Sequence, residues 1–150
     1  MYSKDIFYSS KHEILQELAS IHDVVFVGGT SEYLQGIKSE LNDIDISIPD
    51  TFPLKKIGYV FHFYRNNFYG LSGNRGVIKL KNVLIDIFID NPPEYIIVNG
   101  FKCETIQSMI NLRETTLKFN SDQFADIHKK KLADNLERLR LYILSKYESF

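Results

Sequence analysis

A short apolar run, Asp23-Val24-Val25-Phe26-Val27, stops at Gly28-Gly29. Thr30-Ser31 follows, and then the alternating stretch Asp43-Ile44-Asp45-Ile46-Ser47-Ile48. This order constrains the fold more than any other feature of the chain. An apolar run ended by a glycine pair reads as a buried strand from Asp23 to Val27 followed by a turn. Thr30 or Ser31 is a good N-cap for a helix over about Glu32 to Leu41. Strict alternation reads as a second strand, Asp43 to Ile48, with one polar and one apolar face. Asp43 and Asp45 then leave the same face side by side, while Ile44 and Ile46 point into the core.

Around this unit the chain keeps a simple order. Ile14, Leu15, Leu18 and Ile21 recur at helical spacing, with Ser9 or Ser10 as cap and Glu13 in the first turn. Tyr59 to Tyr64 reads as a strand. Gly76 to Leu80 and Val83 to Asp90 read as a hairpin. Pro92-Pro93 breaks the chain, and Tyr95 to Val98 reads as a short last strand. From Glu104 onward the spacing turns helical: one helix carries Ile106, Met109, Ile110, Leu112 and Arg113, and a longer one carries Leu132, Leu136, Leu139, Tyr142 and Ile143. A β-rich centre with helices at both ends predicts an α+β (mixed α/β) fold. The 150 residues suit one domain, 1–150.

Two adjacent carboxylates cost free energy unless something compensates them, and a divalent cation with oxygen ligands does so. Gly28 and Gly29 allow close approach of backbone to a ligand. A helix starting near Ser31 offers free N–H groups to an anion such as phosphate. A third acid, Asp86, sits in the middle of the apolar strand Val83-Leu84-Ile85-Asp86-Ile87-Phe88-Ile89-Asp90, where an unpartnered charge is costly. Asp90 is the fallback for that role. A phosphate seat beside clustered carboxylates is what metal-assisted phosphoryl or nucleotidyl transfer requires.

Gly-Gly-Thr-Ser, then Asp-Ile-Asp-Ile, then a later strand Asp, resembles the nucleotidyltransferase superfamily, which includes polymerase-beta-like enzymes and the minimal nucleotidyltransferases of toxin–antitoxin systems. The likeness covers roughly Asp23 to Asp90. It implies a central mixed sheet flanked by helices, with a helical C-terminus. It implies Gly28, Gly29, Thr30 and Ser31 at the triphosphate, and Asp43, Asp45 and Asp86 as catalytic residues and ligands of Mg²⁺ or Mn²⁺. The activity it implies moves an NMP from an NTP, with ATP the expected nucleotide, to a hydroxyl or phosphate of a protein, an RNA or a small molecule. Where many members carry Arg, this chain has Glu32, Tyr33 and Asn42. The cationic groups are therefore sought at Lys38, Arg75, Lys79 or Lys81. The alternative is a degenerate member of the same fold that binds a protein partner. A partner subunit or a homodimer is the expected means of completing the cleft.

The remaining features narrow the field. A formal net charge of −1 gives no global pull toward nucleic acid or membrane. One cysteine, Cys103, forbids an intrachain disulfide and fits a reducing, cytoplasmic setting. No apolar run is long enough to span a bilayer, so no membrane partner is expected. The 18 Ile against 3 Ala point to AT-rich coding, as in a phage, a mobile element or a low-GC bacterium. His12, His22 and His62 lack ligand spacing. His128-Lys129-Lys130-Lys131 reads as a solvated helix face. Phe61, Phe63, Tyr64, Phe68 and Tyr69, with Arg65 nearby, read as hairpin core packing, with base stacking the competing role.

Overall fold

The structure, a computed structural model, describes residues 10–65, 73–80, 82–120 and 126–148. Lys81, Phe68, Tyr69 and Ser9 lie outside the described residues, as does the side chain of His128. The elements run α1 (Lys11–Ala19), β1 (Val25–Phe26), α2 (Gly28–Leu34), β2 (Ile44–Ile48), a 3-10 turn (Phe52–Lys56), β3 (Phe61–Tyr64), β4 (Asn74–Lys79), β5 (Leu84–Ile89), β6 (Tyr95–Val98), β7 (Phe101–Glu104), α3 (Ile106–Asn120) and α4 (Asp126–Glu148). The fold is α+β: among the described residues one seven-stranded mixed sheet, ordered β3-β4-β5-β2-β1-β7-β6, stands with four α-helices. No described helix is long and apolar enough to cross a membrane.

Alternation along the central strands divides the sheet into two faces. Ile44, Ile46 and Ile48 of β2 and Ile85 and Ile87 of β5 are buried in one cluster with Phe26, and Ile14, Leu15 and Leu18 of α1 close that core. Ser10 caps α1 as expected, accepting from the Glu13 N–H at 3.3 Å. The opposite face carries Asp45 and Ser47 of β2 and Phe88 of β5, and α3 and α4 roof it. A second cluster, Met109, Ile110, Leu136 and Leu139, holds α3 to α4.

Several expectations need correction. The first strand is only Val25–Phe26, not Asp23 to Val27, and β2 starts at Ile44 with Asp43 just before it. The helix expected over Glu32 to Leu41 occupies Gly28–Leu34 and is capped by Val27, which makes no side-chain cap bond. Gly28, at φ 52, turns the chain straight from strand into helix, and Gly36, at φ 79, follows its end; both values suit glycine. β7 (Phe101–Glu104), absent from the sequence reading, pairs antiparallel with β6 and parallel with β1. Strand β3 is exposed along its length rather than packed in the core. Among the described strands it lies at the sheet edge, paired with β4.

Glu32 ties the helical roof to the sheet. It is 1% exposed. Arg138 donates to its Oε1 through Nη2 at 2.8 Å and Nε at 3.1 Å, and Arg113 donates to Oε2 at 3.4 Å. One carboxylate of α2 thus holds a guanidinium from each of α3 and α4. Removing Glu32 deprives the largely buried Arg113 of its nearest carboxylate while Arg138 stays partly exposed, and breaking a buried pair costs about 3–5 kcal/mol. Glu32→Ala is expected to lower the free energy of urea unfolding by about 3 kcal/mol. A loss under about 1 kcal/mol would show that the network carries little.

Candidate functional site

The parallel pairing of β2 with β5 places Asp45 directly opposite Asp86, with Ile44 opposite Ile85 and Ser47 opposite Phe88. Asp43 precedes β2 two residues from Asp45. Neighbouring strands lie about 4.8 Å apart and residues two apart on one strand are about 6.6–6.8 Å apart. Three carboxylates at such spacings lie within side-chain reach of one cation. Their mutual influence is visible in Asp45: burial, then the charges of Asp86 and Asp43, push its carboxyl up to about 7. Burial and the charge of Asp43 also raise Asp86, while Arg65 opposes that rise. Among the described residues no three His, Cys, Asp or Glu side chains form a ready-made ligand set. Backbone register places Asp45 and Asp86 side by side, and Asp43 is near enough for its charge to act on both.

The turn after β1 faces the same acids. A methyl group at Gly28 would sit 3.6 Å from Asp45 Oδ2. One at Gly29 would sit 3.2 Å from Lys38 Nζ and 3.9 Å from Asp45 Oδ2. Lys38, one of four cations sought from sequence, therefore stands over the glycine pair beside Asp45 and opposes the rise in its pKa. Arg75 packs its guanidinium 4.5 Å from the Phe88 ring centroid, and Lys79 leans toward Phe61 at 5.8 Å.

Thr30 and Ser31 are not arranged as expected for phosphate ligands. Both are fully buried. Thr30 Oγ1 accepts from the Asp45 N–H at 2.8 Å, and Ser31 Oγ donates to the Glu104 carbonyl at 2.7 Å. These hydroxyls fasten the turn to β2 and β7, and the parts of the turn that line the cleft are Gly28 and Gly29. The helix terminus is also partly spoken for: the Gly28 N–H donates to Glu104 Oε1 at 3.1 Å. With the Ser108 hydroxyl on Oε2 at 2.8 Å, that bond offsets the burial that raises the Glu104 carboxyl.

The cleft between this sheet face and the helices holds about 390 Å³. Gly28, Gly29, Asp45, Asp90 and Glu104 line its sheet side, and Leu112, Arg113, Thr116, Leu132 and Asn135 line its roof. Arg113 was not singled out from sequence. Its charge opposes the rise of both Asp45 and Glu104. Burial lowers its own pKa, and Glu32, Glu104 and Asp45 counter that effect. The available signal was its position four residues after Met109, on the stripe that α3 buries. Cys103 is buried, and burial pushes its thiol up to about 11, which suits no nucleophile.

No family model, curated protein or solved structure matches this chain.

The carboxyl of Asp45 titrates at about 7 in the folded chain against an ordinary 3.8. The native state then binds more protons than the unfolded state between those values, so without metal its stability falls as pH rises through that window. The slope approaches about 1.4 kcal/mol per pH unit. Asp45→Asn is expected to flatten this decline and to melt above the wild type at pH near 8. Parallel pH profiles of the two melting temperatures would show that Asp45 does not titrate in this range.

Proposed function

We propose that the chain is a metal-dependent nucleotidyltransferase, which moves a nucleoside monophosphate from an NTP to an acceptor hydroxyl. The observation that carries this reading is the Asp45–Asp86 register on adjacent parallel strands, with Asp43 close enough to raise both carboxyls. Negative charge that Lys38, Arg113 and Arg65 offset only in part fits a divalent cation, and Asp43, Asp45 and Asp86 are the residues that would hold it. Bound there, Mg²⁺ or Mn²⁺ supplies charge neutralisation and polarises the reacting oxygens.

The chain's own groups take the remaining roles. Gly28 and Gly29 leave room beside Asp45 for the phosphates. Lys38 and Arg113 are the cations placed to balance the triphosphate, in place of the helix terminus that Glu104 occupies. Asp86, its carboxyl raised, accepts the proton of the acceptor hydroxyl. The freed oxygen bonds to the α-phosphorus, the bond from that phosphorus to the bridging oxygen breaks, and pyrophosphate leaves.

A second reading keeps the scaffold without the chemistry. The specific observations favouring it are the Glu104 carboxylate on the Gly28 N–H and the buried Glu32 where the resemblance has Arg. In that case the surface binds a protein partner.

Melting with metal and nucleotide separates the two. A ligand that binds only the native state adds about 2.7 kcal/mol at a hundredfold excess over its Kd. Mg²⁺ or Mn²⁺ with one NTP is expected to raise the wild-type melting temperature and to leave Asp43→Ala/Asp45→Ala unmoved. Asp86→Ala is expected to keep nucleotide binding and to lose pyrophosphate release by about a hundredfold or more. If no metal–nucleotide pair shifts the wild type, the catalytic reading fails and the protein-binding one takes its place.

A further inference from the structure

Among the described strands, the sheet face that carries the acids continues from β2 to the edge strand β3. Phe61 faces Val77, Val77 faces Asp86, and Asp86 faces Asp45. In the next row Phe63 faces Arg75, Arg75 faces Phe88, and Phe88 faces Ser47. At the edge the rings are open to solvent: Tyr59 is 74% exposed, Phe61 51% and Phe63 46%. Tyr59 and Phe61 meet edge to face with centroids 4.7 Å apart. Phe61 and Phe63, two residues apart on β3, share one face, and Tyr59, just before the strand, extends the row through its contact with Phe61.

Cations flank this row. Lys79 Nζ lies 5.8 Å from the Phe61 ring centroid. Arg65 is exposed at the end of β3, and its charge reaches Asp86. Two strand spacings, about 10 Å, separate the backbone of Phe61 from that of Asp86.

We propose that the row Tyr59, Phe61 and Phe63 is a stacking platform for single-stranded nucleic acid, which leads a terminal hydroxyl toward Asp86. Exposed rings on one face, with cations at both ends, match the alternation of planar bases and phosphates in a single strand. A peptide strand added to the edge would bond chiefly through the outer backbone of β3 and meet the rings only from the side, leaving their flat faces unstacked. The platform rests on the transferase reading only for the destination of the hydroxyl; strand binding itself requires neither metal nor NTP.

The test uses the full chain without metal or nucleotide, with fluorescence anisotropy of labelled oligo-U and oligo-dT of about twelve nucleotides and of a duplex of equal length. Both single strands are expected to bind more tightly than the duplex, with affinity falling as salt rises from about 50 to about 200 mM. Preference for oligo-U over oligo-dT assigns the site to RNA, and the reverse assigns it to DNA. Phe61→Leu/Phe63→Leu keeps apolar area but removes the π faces, and is expected to weaken binding about tenfold or more. Phe61→Tyr/Phe63→Tyr is expected to bind like the wild type. Absence of strand binding, equal binding of the duplex, or a Leu variant as tight as the wild type overturns the proposal. If the Leu variant instead loses transfer to a protein acceptor while no strand binds the wild type, the face belongs to a protein and the proposal is likewise overturned. An inactive transferase that still binds single strands through these rings leaves the platform standing.

Discussion

The parallel pairing of β2 with β5 underlies both faces of the sheet. Five consecutive residues are held in register, from Ile44 with Ile85 to Ile48 with Ile89. Ile44, Ile46, Ile85 and Ile87 are buried in the core by this pairing, so a shift of one residue would send them to the cleft and the aspartates into the core. The burial of these isoleucines therefore fixes where the carboxylates stand. No bond between the acids is needed to bring Asp45 and Asp86 together, and their mutual repulsion is overcome by apolar burial on the opposite side of the same strands.

The roof depends on a different kind of force. Met109, Ile110, Leu136 and Leu139 hold α3 to α4 through an apolar cluster of their own. Glu32 bonds to both helices through Arg113 and Arg138. Such an arrangement is directional. A buried carboxylate accepting from two guanidiniums adds fixed bond directions that apolar packing lacks. It also sets where Arg113 stands in the cleft. The site's cation is thus positioned by an acid that lies beneath the turn, on α2 itself.

How much of this was legible in the sequence depended on period and range. The alternation in Asp43 to Ile48 needs only local geometry to be read, and so β2 and the common face of Asp43 and Asp45 were accessible. Asp86 was accessible for a related reason, as a charge inside an apolar strand. The boundaries of α2 were not, because Thr30 and Ser31 look like caps until their hydroxyls are found on Asp45 and Glu104, 15 and 73 residues away. β7 escaped because four residues, Phe101–Glu104, are too few to show a period before the helical spacing begins. Glu32 stood out in the sequence only as an acid where the resemblance has Arg, since nothing nearby in sequence announces partners 81 and 106 residues on. The rings of β3 were assigned to a core because aromatic residues usually are buried. Their exposure follows from the position of β3 at the sheet edge, which only the strand order reveals.

That strand order also bears on how the molecule is assembled over time. β3, β4 and β5 pair as successive neighbours, so this meander closes short loops and can form early. The β2–β5 pair joins Asp45 to Asp86, 41 residues apart in the chain, and carries a larger closure entropy. The carboxylate cluster therefore exists only after the slower, non-local pairing is made. Until then the two carboxylates do not face each other, so the repulsion between them is a property of the finished sheet alone.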